Sequence, residues 1–306
     1  MKKKVVIFAL TLFTSLHLFS QDYKKVDSIV STYPEKFYFS TKLANRISSD
    51  FQNNFEKVRA VYSWIANNID YDSRQSARFM YSHSSNEEFV KKEEKRNKNL
   101  SKSALVNGRA VCEGFSALFS EICTELKIKS KIIEGKGKNG IKDIGAKYVI
   151  DHSWNIVLID DKEYLIDVTW GAGSYYPKKY FYFLTEPGLF IKNHYPNDYQ
   201  NSLLKRKIEK SEFMNSPMVY DYNFELLSPK NGIISGEQTE KVKFKFSTKK
   251  MIYSISYGKG QNKYSKIEDF KHDGEILEFE IDMTQIEKKE LILYSRNERI
   301  IGFKIK

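Results

Sequence analysis

Three residues in this chain have types and surroundings suited to nucleophilic chemistry: Cys112, His152 and Asp167. Cys112 stands in Gly108-Arg109-Ala110-Val111-Cys112-Glu113-Gly114-Phe115, where a glycine-marked loop meets an apolar stripe of Phe115, Leu118, Phe119, Ile122 and Leu126. That spacing predicts an amphipathic helix with Cys112 at its start. The helix dipole and the free N–H groups of a first turn favour a thiolate there. A thiolate that attacks acyl carbon needs a base to cycle protons and an acceptor to orient the base. The segments Asp151-His152-Ser153-Trp154-Asn155 and Leu165-Ile166-Asp167-Val168-Thr169-Trp170 hold an imidazole and a carboxylate. The backbone N–H of Cys112 is a candidate donor to the oxyanion.

These two segments read as the arms of a hairpin. Residues 152–159 and 163–169 are β-rich, with Asp160-Asp161 or Asp161-Lys162 at the turn. A two-residue turn sets Asp167 opposite Trp154 in the first register, with His152 on the same face, diagonal to the carboxylate and about 7–8 Å away across the strands. The second register keeps that face, whereas a three-residue turn would reverse it. Trp154 and Trp170 flank the pair as core residues or as a substrate wall.

Other reactive side chains carry weaker signals. Cys123 lies eleven positions after Cys112 on the same helix, about 16 Å away. A disulfide tolerates only about 7 Å between Cα atoms, so the two should not pair, and Cys123 reads as core. His194 lies in a proline-marked loop with no paired acid, and His83 and His272 read as solvated. Tyr71 and Asp72 end a helix near the expected cleft and receive no role. No histidine or cysteine spacing suggests zinc and no acidic loop has calcium spacing, so no cofactor or metal is expected.

The elements that must position these groups follow the chain. Helices are expected over 21–33, ended by Pro34, from Ser40 as N-cap, and over 56–68 with Val58, Val61, Trp64, Ile65 and Ile69 on one side. Residues 82–103 are polar and charged and read as an exposed insertion with some helix. Residues 131–134 read as a short strand, and the four glycines between Gly135 and Gly145 as a mobile loop. Residues 180–184 read as a strand. From 219 onward, alternating runs such as Val242, Phe244, Phe246 and Leu277, Phe279, Ile281, with further strands at 252–257, 290–295 and 300–305, indicate a small β-sandwich. Catalysis is not expected in that region, which suits packing, spacing or partner binding.

Composition bounds the rest. With 306 residues, 41% hydrophobic and 14% aromatic, the chain can bury a real core, which argues against disorder. Met1-Lys2-Lys3-Lys4 followed by an apolar run to Phe19 reads as a signal peptide cut after Ser20. Its removal takes three lysines from a formal charge of +11. The remaining basic excess is spread out, and its densest run, Lys91-Lys92-Glu93-Glu94-Lys95-Arg96, mixes signs, so no nucleic-acid stripe is expected. No later segment is apolar enough to span a bilayer.

At the chemistry-bearing residues the sequence resembles a known group. Gly-Arg-Ala-Val-Cys-Glu-Gly-Phe, His-Ser-Trp-Asn and Tyr-Leu-Ile-Asp-Val-Thr-Trp-Gly are similar to the three catalytic blocks of the transglutaminase-like superfamily, in its kyphoscoliosis-peptidase-type branch. The stretch 58–72, Tyr182-Phe183-Leu184 and His194-Tyr195-Pro196 also fit that branch, so the likeness covers about residues 40 to 205. Gln200-Asn201-Ser202-Leu203-Leu204 departs from it in lacking an aromatic. The resemblance implies a papain-like core, with Cys112 as nucleophile, His152 as base and Asp167 as orienting acid.

The expected fold class is therefore α+β: a papain-like, transglutaminase-like core over 21–218, after a signal peptide at 1–20, and an Ig-like β-sandwich over 219–306. The expected function is a secreted or periplasmic cysteine enzyme acting on peptide or isopeptide amides through a thioester, with hydrolysis favoured over cross-linking. The alternative is a catalytically silent module of the same fold that binds a peptide or protein. The expected partner is a peptide or protein substrate, with a further protein docking through the sandwich.

Overall fold

In the computed structural model, residues 23–74, 87–173, 180–235, 241–260, 263–286 and 289–306 are described. The signal peptide expected at 1–20 and residue 83 lie outside the described residues. Among the described residues no helix is long and apolar enough to cross a membrane.

The first part of the chain is a helical layer on a small sheet. Helices α1 (Lys24–Val30), α2 (Ser40–Asp50) and α3 (Asn54–Asn68) surround α5 (Cys112–Glu125), burying Val26, Val30, Leu43, Ile47, Val61, Trp64 and Ile65 against Phe115, Phe119 and Ile122. Each such side chain contributes about 1.5–3 kcal/mol by leaving water. Asn53 caps α3, accepting from the Phe55 N–H at 2.7 Å. Ser40 is the first helical residue rather than the cap, and its hydroxyl donates to Glu121 of α5 at 2.6 Å. Arg59 of α3 is buried, donates to both oxygens of Asp27 at 2.9 and 2.7 Å, and lies 3.7 Å from the Tyr180 ring centroid. That fork ties α1 to the layer.

The polar stretch expected as an insertion is, over its described part, one 21-residue helix, α4 (Glu87–Asn107). Glu87–Lys91 and Glu88–Lys92 pairs support its solvated start, and only its last turns bury Ser101, Ala104 and Leu105. A two-stranded parallel pair, β1 (Asp70–Tyr71) and β2 (Arg109–Ala110), leads into α5.

The sheet behind α5 is antiparallel in the order β5-β4-β3-β6, from β3 (Ser130–Gly137), β4 (His152–Ile159), β5 (Lys162–Ile166) and β6 (His194–Pro196). Asp160 and Asp161 make the two-residue turn with φ of 49° and 61°, and Asn155 pairs Ile166, the first of the two expected registers. Strand β5 stops at Ile166 instead of running to Thr169. There the Asp167 side chain accepts from the Trp170 N–H at 3.0 Å and starts a short helix, α6 (Val168–Gly173). Residues 180–184 form turns rather than a strand, with Leu184 at φ 53°.

The glycines expected in a mobile loop instead begin inside β3. A Cβ on Gly135 would stand 2.2 Å from the Tyr195 carbonyl oxygen and 2.5 Å from the Trp154 ring, so only glycine fits between the neighbouring strands. The connection onward is fastened by Lys136, which bridges Asp143 at 2.9 Å and Asp151 at 2.5 Å.

The second part is a β-sandwich. One sheet runs β12-β11-β15-β16-β7, with β9 also pairing β16; the other runs β13-β14-β10-β8. The strands are β7 (Met218–Val219), β8 (Glu225–Ser228), β9 (Ile233–Ile234), β10 (Lys241–Ser247), β11 (Ile255–Gly260), β12 (Lys263–Ile267), β13 (Phe270–His272), β14 (Ile276–Asp282), β15 (Glu290–Ser295) and β16 (Glu298–Ile305). The alternation in β10 and β14 holds in register, Phe244 against Phe279 and Phe246 against Leu277, and Phe244 meets Phe303 of the facing sheet at 5.4 Å. The strand expected at 252–257 begins three residues later, at Ile255.

The two parts join through Ile141, Ile144 and Met218, packed with Ile233 and Ile292. Fully buried Lys138 donates to the Phe213 carbonyl at 2.7 Å and to the Ser216 carbonyl and hydroxyl at 2.8 Å each.

Candidate active site

Cys112 is the first residue of α5, reached directly from β2 through an extended Val111. The odd-numbered face of β4 fastens this first turn. Ser116 donates to the Cys112 carbonyl at 2.9 Å and shares a 2.6 Å hydrogen bond with Ser153, while Asn155 Nδ2 donates to the Ser116 carbonyl at 3.1 Å. His152 opens the same strand, its side chain set with Trp154 by the period of two. Its ring is hydrogen-bonded to Asp167 and interacts with the Cys112 side chain. The Asp167 contact is 2.6 Å from His152 Nε2, which leaves Nδ1 as the ring nitrogen for the sulfur.

Asp167 is fully buried, and its second oxygen has two imidazoles on it. His194 Nε2 lies 2.9 Å from the same Oδ2 that meets His152. This corrects the reading of His194 as an unpaired loop histidine: it opens β6 and is 0% exposed. Its acid is 27 positions away in sequence, and the pairing of β3 brings them together. His152 pairs Gly135 and His194 pairs Gly137, on opposite edges of β3. A Cβ on Gly137 would stand 3.0 Å from His152 Cβ, so a glycine there lets the two rings approach to 5.4 Å between centroids. Glycines two apart next to a predicted histidine strand were the available signal.

The charges divide unequally. Burial opposes charging His152, but Asp167 and the Cys112 sulfur outweigh it and push the ring up to about 10. Burial likewise opposes ionising Asp167, yet the two imidazoles hold it well below the usual carboxylate range. For His194 burial wins, helped by the neighbouring His152, and the ring is held below its ordinary value. At neutral pH the arrangement is a charged His152, an ionised Asp167 and a neutral His194 donating to it.

The donor atoms of His152, Asp167 and His194 lie within 4.8 Å of one another, a set that could in principle hold a metal ion. The nitrogen-to-oxygen spacings of 2.6 and 2.9 Å are hydrogen-bond lengths. An ion between them would need about 2.0–2.2 Å to each atom, so the residues as placed satisfy one another instead.

Aromatic rings enclose the pair. Phe190 stacks on His194 at 4.1 Å and Trp170 lies 4.3 Å from it. Trp154, read from sequence as a candidate substrate wall, is 1% exposed and packs with Ile133, Ile156 and Phe190 beneath the site. Trp170 does reach the surface of a cavity of about 870 Å³ that opens over His152. Tyr71 and Asp151 continue that wall, and Tyr220, Glu298 and Arg299 face them from the sandwich. The sandwich, expected to stand apart from the chemistry, thus forms one side of the cleft. The volume is within the usual range for ligand sites.

Comparison with known proteins fits this geometry. Residues 41–166 match the transglutaminase-like superfamily. Human kyphoscoliosis peptidase is 28% identical over 225 residues, covering 67% of this chain and 32% of its own length. Hillarin of Drosophila melanogaster is 29% identical over 128 residues, covering 35% of this chain and 16% of its own. A crystal structure of a TGase aligns with 51% of this chain and 35% of that one at 17% identity and a TM-score of 0.28. Residues 41–166 are thus a transglutaminase-like region. The kyphoscoliosis peptidases are relatives of this chain, which spans about a third of the human member.

Proposed function

We propose that this protein is a cysteine acyl-transfer enzyme acting on peptide or isopeptide amides, with water as the usual acceptor. The observation that carries this reading is the position of the His152 ring, hydrogen-bonded to the buried Asp167 on one side and set beside the Cys112 side chain that opens α5 on the other. In this scheme the proton given up by Cys112 rests on His152, the charged ring being held by Asp167 beside the sulfur. The sulfur adds to the amide carbon, and the C=O electron pair moves to oxygen. Collapse re-forms the carbonyl, breaks the C–N bond and passes the proton from His152 to the leaving amine. Water, deprotonated by His152, then cleaves the thioester. A lysine amine in place of water would give cross-linking. The expected leader at 1–20 adds that the protein is exported, with Gln21 as the mature N-terminus.

The test is covalent labelling with a peptidyl vinyl sulfone, mapped by mass spectrometry. Wild type is expected to carry the adduct on Cys112, and Cys112→Ala to fold with the same melting temperature and carry none. Equal labelling of both proteins would refute the reading, and a wild type that binds peptide without reacting would favour a silent binding module. Hydrolysis is separated from cross-linking by whether a glutamine peptide is deamidated or takes up a supplied amine.

A further inference from the structure

We propose that Arg299, on the sandwich wall of the cleft, is a specificity residue that receives an acidic side chain of the peptide substrate. This rests on the cleft over His152 being the substrate site, as proposed above. Strand β16 begins at the rim of that cleft, where Asn297, Glu298 and Arg299 line the same cavity as His152 and Trp170.

Arg299 is exposed, yet its guanidinium is held in place. Its central carbon lies 5.5 Å from the Tyr220 ring centroid, and Tyr294, its partner across the β15–β16 pair, interacts with the same cation. Tyr220 is fastened beside it, because the Tyr220 and Asp221 N–H groups both donate to the Ile300 carbonyl, at 2.9 and 3.0 Å. Two aromatic supports restrict a long side chain before any ligand arrives, which lowers the entropy lost on binding.

The charges around the cleft single this cation out. On the opposite wall Asp151 is already answered: Oδ1 accepts from the Gly137 N–H at 2.9 Å and Oδ2 from Lys136 at 2.5 Å. His152 is answered by Asp167 at 2.6 Å. Lys243, Lys245, Lys250 and Lys266 of the sandwich each meet an acid. Among the described residues Arg299 meets none. Its neighbour Glu298 is also without an ion-pair partner among them, but no side chain holds it, so ordering it on a ligand would cost freedom that Arg299 has already lost. A pre-set guanidinium offers a planar fork of N–H donors that matches both oxygens of a carboxylate. The ligand that fits is the Glu or Asp side chain of a peptide lying along the cleft.

The test is calorimetric titration of Cys112→Ala, in which no acyl transfer can follow binding. The probes are acetylated, amidated peptides of Gly, Ser and Phe that carry one Glu, Gln or Lys at a matched position. The Glu peptide is expected to bind about tenfold more tightly than the Gln peptide, the scale of one charge-assisted contact. Adding Arg299→Gln should make the two equal, and Arg299→Glu should turn the preference toward the Lys peptide. Glu298→Gln should leave the preference for acid in place. Equal Kd values for the Glu and Gln peptides, no measurable binding of either, or a preference for acid that survives Arg299→Glu would overturn the proposal. Failure of the enzyme reading shows elsewhere, as wild type and Cys112→Ala behaving alike toward p-nitrophenyl acetate, and leaves these binding constants unaffected.

Discussion

The two halves of this molecule treat charge in opposite ways. The sandwich keeps its ion pairs in water: Glu278 on β14 sits between Lys243 and Lys245 of β10 at 2.8 and 2.7 Å, all three side chains at least a quarter exposed. The helix-and-sheet half buries charge: Asp167 and His152 at its sheet edge, Arg59 under α1, Glu113 bridged to Arg96 beside Cys112, and Lys138 where the halves join. Burying a charge is costly unless its partners are fixed. The sandwich needs only its apolar alternation to fold, whereas the other half depends on partners that arrive from distant segments. The proposed site lies where that cost is borne.

Removing the centre of the buried network should have the largest effect. Asp167→Ala leaves two imidazoles without their acceptor, and the expected loss is about 3–5 kcal/mol in urea unfolding, together with all vinyl sulfone labelling. At the junction, Lys138→Met removes the donor to two carbonyls and a hydroxyl, and should cost about 1–3 kcal/mol by the same measurement. On the sandwich, Glu278→Gln should leave the melting temperature unchanged within error. A Glu278 effect as large as that of Asp167 would erase the contrast between the halves.

A finer contrast separates the two histidines on one carboxylate. His152 is raised to about 10, so its stabilising contribution is complete below its ordinary 6.5 and is lost as pH rises from there through about 10. His194 is lowered from 6.5, so the unfolded chain binds a proton that the folded one refuses, and stability falls as pH drops below 6.5. Melting curves of His152→Asn should therefore differ most from wild type below 6.5 and converge toward pH 10. His194→Gln should show its largest deficit above 6.5, with the gap narrowing on acidification. Parallel curves for the two variants would show that the rings are equivalent.

Much of this site was legible in the sequence because its signals are local. The stripe from Phe115 to Leu126 marks the Cys112 helix, and a two-residue turn at Asp160-Asp161 brings His152 and Asp167 to one side of a sheet. His194 was not legible, because its strand is three residues long and its acid is reached only across β3. Trp170 was read as a possible substrate wall, but the six-residue helix that carries it, started by the Asp167 side chain, was not, because a glycine-rich run reads as loop. Tyr71 sits in a two-residue strand too short for any periodic signal. The sandwich strands were legible from alternation, but alternation carries no information about which end of the sandwich faces a cleft. Glu298 and Arg299 had to be found in space.

The most direct test of the account is the pre-steady-state reaction with p-nitrophenyl acetate, read as released p-nitrophenolate and as the acetylated residue. The account predicts a burst approaching one equivalent in wild type, with the acetyl group on Cys112, and no burst in His152→Asn. A burst of the same size and rate in His152→Asn, or an acetyl group on any residue other than Cys112, would contradict it.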